Sequence, residues 1–133
     1  MLNHAHMKYF LSVISMALLL SSCSTNMHIV RKGKLDTPLK ESYVITYRAA
    51  LSDYKSAKVK YRDENGKLQS VKDIPANWEK VVSLKPGSDA FIKMTVKGDK
   101  AKGDFKVLAD EKIIDAQMLT GRKLFYSLDF ILP

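Results

Sequence analysis

Few side chains in this sequence have reactive chemistry to offer. In 133 residues there is one cysteine, Cys23, and there are three histidines, His4, His6 and His28. One cysteine cannot close a disulfide within the chain or build a thiolate metal site, which leaves packing or covalent modification. Histidine is the usual acid–base group near neutral pH. All three histidines lie ahead of the regular patterning that starts at Tyr43, and no further metal-ligating side chain stands close to His28 in sequence. The carboxylates Asp63, Glu64, Asp89, Asp99, Asp104, Asp110 and Glu111 sit mostly in turn-like contexts. Asp63-Glu64-Asn65-Gly66 begins like a calcium loop but lacks the later ligands and the closing Glu. A glycosidase-type pair needs two carboxylates facing one cleft, and no spacing here selects two. The expectation is a protein that is not an enzyme, with no catalytic residues, no metal and no cofactor.

The surroundings of Cys23 suggest modification. Met7-Lys8 supplies a basic start, residues 9–20 form an apolar run, and Ser21-Ser22 lead into the cysteine. That is the layout of a secretory signal. The run falls short of the roughly 20 apolar residues that a spanning helix needs. Residues 1–6 add little to the signal, which points to translation starting at Met7, with Met1 as the alternative.

Leu20-Ser21-Ser22-Cys23 resembles the lipobox of bacterial lipoproteins. The resemblance implies that residues 1–22 are removed and that Cys23 becomes the acylated first residue. Each buried methylene of an acyl chain contributes about 0.8 kcal/mol, and more than one chain gives stable anchoring. Ser24, rather than Asp, follows the cysteine, which by the same resemblance implies delivery to the outer membrane. No acid precedes Asp36, so the acidic tag of many surface-exposed Bacteroidota lipoproteins is absent, and a periplasm-facing domain is expected.

Three segments follow: a signal over 1–22, a lipidated N-terminus and flexible tether over 23–40, and a folded domain over 41–133. The tether, with its basic cluster Arg31, Lys32 and Lys34, shows neither a two-residue nor a 3.6-residue period. Beyond it, short apolar stretches alternate with turn residues, the pattern of an all-β fold. Strands are expected over 43–48, 57–62, 68–71, 78–84, 90–97, 105–107, 112–118 and 124–132. Asn65-Gly66 turns one hairpin, Asp110-Glu111 another, and residues 98–103 read as a loop. Tyr43, Tyr47, Tyr61 and Tyr126 fall on inward faces, and Trp78 reads as core or rim packing. About seven to eight antiparallel strands in some 93 residues suit an immunoglobulin-like β-sandwich, with a small closed barrel as the alternative.

Charge is the remaining functional signal. The chain has 22 Lys and Arg against 14 Asp and Glu, net +8. Nucleic acid is the usual partner of a basic domain, but export removes this one from it. Lys58, Lys60 and Arg62 face outward on one expected strand, Lys93 and Lys97 on another. If those strands are neighbours, the five cations form one basic face for an anionic partner, against the alternative of a solvated face that protects an edge.

Tyr43-Val44-Ile45-Thr46-Tyr47, Ala57-Lys58-Val59-Lys60-Tyr61 with Asn65-Gly66 behind it, Ile74-Pro75 before Trp78, Ala109-Asp110-Glu111-Lys112 and a closing aromatic strand together resemble the MmpS-type membrane-associated proteins and the small β-sandwich lipoproteins of Bacteroidota. In that pattern Asp110-Glu111-Lys112 has Glu where Gly is usual, and Ala76-Asn77 separate Pro75 from Trp78. The resemblance implies a sandwich fold and a role as accessory to an exporter or envelope complex. The expected function is a membrane-anchored binding or accessory module; the alternative is a lipoprotein that recognises an anionic ligand through its basic face or a loop pocket. Replacement of the lipid acceptor, Cys23→Ala, is expected to move the protein from the membrane to the soluble fraction with its circular dichroism unchanged. Full retention in the membrane pellet would refute lipid attachment at this residue.

Overall fold

A computed structural model describes residues 24–133; Cys23 and the apolar run before it lie outside the described residues. Among these residues there are seven strands and no helix: β1 (Thr25–Lys34), β2 (Tyr43–Ser52), β3 (Ser56–Arg62), β4 (Leu68–Lys72), β5 (Asn77–Leu84), β6 (Asp89–Ala109) and β7 (Lys112–Ile131). The fold is an all-β sandwich, as its alternation predicts.

The turns form where local chemistry demands them. Asp110 and Glu111 adopt φ of 48° and 69°, the doubly left-handed geometry of a two-residue hairpin turn. Asp110 is held by its own carboxylate, which accepts the Val44 amide at 2.9 Å and the Lys40 ammonium at 3.0 Å. At the β3–β4 turn Gly66 supplies φ of 75°, and Asp63 Oδ1 accepts the amides of Asn65 and Lys67. Both carboxyls are held below their ordinary range, Asp110 first by the Val44 amide and Asp63 first by the Gln69 side chain. A depressed carboxylate stabilises the fold above its unfolded value near 3.8, and that contribution is lost as pH falls through its folded value.

The β6–β7 hairpin is the frame. Its ladder runs from Asp89↔Ile131 to Ala109↔Lys112. The other edge of β6 has two partners, β3 along residues 92–97 and β2 along residues 102–109. The change of partner coincides with a register shift between Lys97 and Ala101, a bulge that bends the strand. The β3–β4 half and the β2–β5 half then close on one another. Tyr47 approaches Tyr61 at 6.3 Å, Tyr61 approaches Trp78 at 6.0 Å, and Phe105 stacks on Tyr126 at 4.8 Å. Tyr43, Tyr47, Tyr61 and Tyr126 are buried as expected, and Trp78 packs half-buried at the rim.

Three expectations change. The segment read as a flexible tether, 23–40, contains β1, which pairs with β7 in parallel, so the sheet is mixed. Its period was hidden because the pattern is inverted: His28 and Val30 turn toward the core while Met27 and Ile29 point out, 59% and 61% exposed. The expected loop at 98–103 lies inside β6, where Ala101 is fully buried. Strands 90–97 and 105–107 are therefore one strand, as are 112–118 and 124–132, and with β1 added the total is seven.

The bend depends on a residue without a Cβ. A methyl group on Gly98 would stand 2.7 Å from the Asp53 carbonyl oxygen and 3.0 Å from Tyr54 Cα, both backbone. Overpacking of this kind costs about 1–3 kcal/mol. Gly98→Ala is therefore expected to lower the thermal midpoint by several degrees. An unchanged melting curve would show that the bend tolerates a side chain.

Candidate anion-binding face

The pleat sends alternate residues of each strand to opposite faces. On β3 that puts Ala57, Val59 and Tyr61 in the core and Lys58 and Lys60 in solvent; on β6 it buries Ile92, Met94 and Val96 and exposes Lys93 and Lys97. Because β3 pairs with β6, the two lysine sets share one face, as the sequence suggested. Two further lysines join it. Lys72 on β4 stands opposite Lys58, and Lys123 on β7 stands opposite Lys97. Neither could be assigned from sequence, because both depend on register.

The outcome is three directly opposed like-charge pairs: Lys58↔Lys72, Lys60↔Lys93 and Lys97↔Lys123. Opposed side chains have Cβ atoms about 4.5–5.5 Å apart, and like charges at such positions are destabilising. A merely solvated face intersperses both signs. No ion pair joins any of these six lysines to an acid among the described residues. Lys123 Nζ instead lies 4.9 Å from the Phe125 ring centroid. The lysines flank two adjoining grooves of ≈ 180 and ≈ 190 Å³ that share Lys58, Thr95 and Lys97, and Asp73 is the acid lining the larger. Four adjacent strands, β4-β3-β6-β7, span about 14 Å, so several anionic groups can be met at once.

Arg62 does not join the cluster. It is half-buried at the far end of β3, where its guanidinium donates to the Gly66 carbonyl at 2.7 Å. Two acids occupy that same end, Asp129 opposite Phe91 in register and Asp89 near it, while Asp73 lies at the lysine end. Burial, and then Asp89, raise the Asp129 carboxyl above its ordinary range against the pull of Arg31 and Arg62. The face is thus polarised, with lysines toward the start of β1 and charges of both signs, Arg31, Arg62, Asp89 and Asp129, toward its end.

A second cluster was not foreseen. His28, expected in the tether, stacks on Tyr126 at 5.6 Å and 12°, with Nε2 3.1 Å from Asp115 Oδ2. The same carboxylate oxygen accepts the Tyr126 hydroxyl at 2.7 Å. Burial, and then Asp115, push the Tyr126 hydroxyl well above its ordinary range, so it serves as a donor and is not an ionisable nucleophile. The group works as a clip that ties β1 to the body of the sandwich. Ser52-Asp53-Tyr54-Lys55 has the Ser-x-x-Lys spacing of some acyl-transfer enzymes. Lys55 Nζ, however, is held in solvent by Asp99 at 3.1 Å, away from that task.

No protein-family model matches the chain, and no curated protein matches it either. Within the clip, Asp115→Ala strands the buried Tyr126 hydroxyl, and a stranded buried donor costs about 1–3 kcal/mol. It is expected to destabilise the fold more than His28→Ala does in chemical denaturation. Equal losses would mean that the hydroxyl finds another acceptor.

Proposed function

We propose that this chain is a lipid-anchored module of the bacterial cell envelope that acts by binding and not by catalysis, and that its six-lysine face is the binding surface. One observation carries the reading: three opposed lysine pairs gathered on one sheet face at a cost to the isolated domain. An anionic partner converts that repulsion into attraction. The lipobox-like Leu20-Ser21-Ser22-Cys23 supports membrane anchoring through Cys23, Ser24 supports an outer-membrane site, and the lack of an acid before Asp36 supports a domain facing the periplasm. The resemblance to MmpS-type proteins supports a setting beside an exporter or envelope complex, which crosslinking in intact cells would identify.

The reading is tested with the detergent-solubilised full chain on an immobilised acidic polypeptide. Wild-type protein is expected to be retained and to elute with salt, since surface charge interactions are screened over about 10 Å at 0.1 M salt. The double charge reversal Lys60→Glu with Lys93→Glu is expected to abolish retention. Lys85→Glu with Lys112→Glu, elsewhere on the molecule, is expected to weaken it only slightly. Equal loss in both variants would mean that net charge, and not this face, does the binding.

A further inference from the structure

We infer that the lysine face seats the domain directly on the anionic headgroup layer of the membrane that carries its anchor; this rests on the proposed acylation of Cys23. The first argument is reach. β1 begins at Thr25, two residues after Cys23. At about 3.3–3.6 Å per residue, the attachment point is within about 7 Å of the sheet. A flexible tether would have let the domain stand off the bilayer, but the strand in its place holds it there. The end of β1 nearest the anchor is also the cationic end of the face: Thr25 is in register with Lys123, which in turn opposes Lys97. Asp89, opposite Ile131, and Asp129, opposite Phe91, lie at the far end, and Asp73 is the acid that lies among the lysines.

Composition supplies the second argument. Beside the lysine rows, on the same face, β1 exposes Met27 and Ile29, in register with Phe125 and Ser127. Large apolar side chains next to unpaired lysines are what a headgroup layer accommodates. Phosphodiesters take the ammonium groups, which an anionic surface attracts, while apolar side chains dip to the acyl boundary. The aliphatic stems of the lysines bridge the two levels. The two grooves share Lys58, Thr95 and Lys97, so the lysines border one connected surface.

The test reads each lysine individually. The lipidated full chain is reconstituted in vesicles of phosphatidylglycerol with phosphatidylethanolamine, or of phosphatidylcholine alone, and treated with an amine-reactive label before peptide mass spectrometry. Lys58, Lys60, Lys72, Lys93, Lys97 and Lys123 are expected to be labelled severalfold less on the anionic vesicles, and Lys85 and Lys112 equally on both. Substitution of Lys58, Lys60 and Lys93 by Gln is expected to restore labelling of Lys72, Lys97 and Lys123 on the anionic vesicles. Equal labelling of the six lysines on both vesicle types, in molecules whose N-terminal peptide carries the acyl mass, would overturn the docking inference and leave the anchor standing. Absence of that acyl mass would overturn the anchor itself. Protection that appears only when an acidic polypeptide is added would assign the face to a protein.

Discussion

The long ladder between β6 and β7 is the interaction on which the other elements depend. Each arm is about twenty residues, long enough that one strand serves both layers. At the bulge near Gly98 the outer edge of β6 is passed from β3 to β2, and the strand bends by the same event. The aromatic contacts between layers, Tyr47 with Tyr61 and Phe105 with Tyr126, exist because the bend brings the halves together. A loop at this point, as the glycines and charges of residues 98–103 suggest, would uncouple the layers.

The same ladder determines the chemistry of the surface. Once β6 is in register with β3 and β7, the pleat leaves no choice about which side chains meet. Burying Val59, Tyr61, Ile92, Met94, Leu124 and Tyr126 obliges Lys58, Lys60, Lys93, Lys97 and Lys123 to share the opposite face. Repulsion between opposed lysines is tolerated because the apolar face beneath is large and continuous. Charge on one side of the sheet is sustained by burial on the other, and the like-charge pairing gives the face its proposed partner class.

β1 links this surface to the proposed anchor. It is an edge strand in parallel register with β7, tied to the body by His28, Asp115 and Tyr126. Its exposed residues extend the lysine face with an apolar margin. The strand therefore gives the domain a definite orientation relative to its N-terminus, which a linker could not do.

The fold class was legible in the sequence because alternation has a two-residue period and core strands obey it: residues 57–62 and 124–132 could be assigned face by face. The turn at Asn65-Gly66 was legible because Gly66 takes a left-handed backbone that few residues tolerate, and the one at Asp110-Glu111 because two acids interrupt the apolar alternation. So were the outward lysines of β3 and β6, a local pattern. Register, partnership and direction were not. That Lys72 and Lys123 complete the face, that Arg62 leaves it for Gly66, that residues 98–103 bend a strand, and that 25–34 pairs in parallel all depend on contacts between segments far apart in the chain. An edge strand that turns Met27 and Ile29 outward carries no burial signal of its own, so only the tertiary structure could show it. The sequence by itself determined which face each residue of a strand belongs to, since that follows from the pleat. Which faces lie side by side is decided by hydrogen-bonded register between distant strands, and that exists only in the folded molecule.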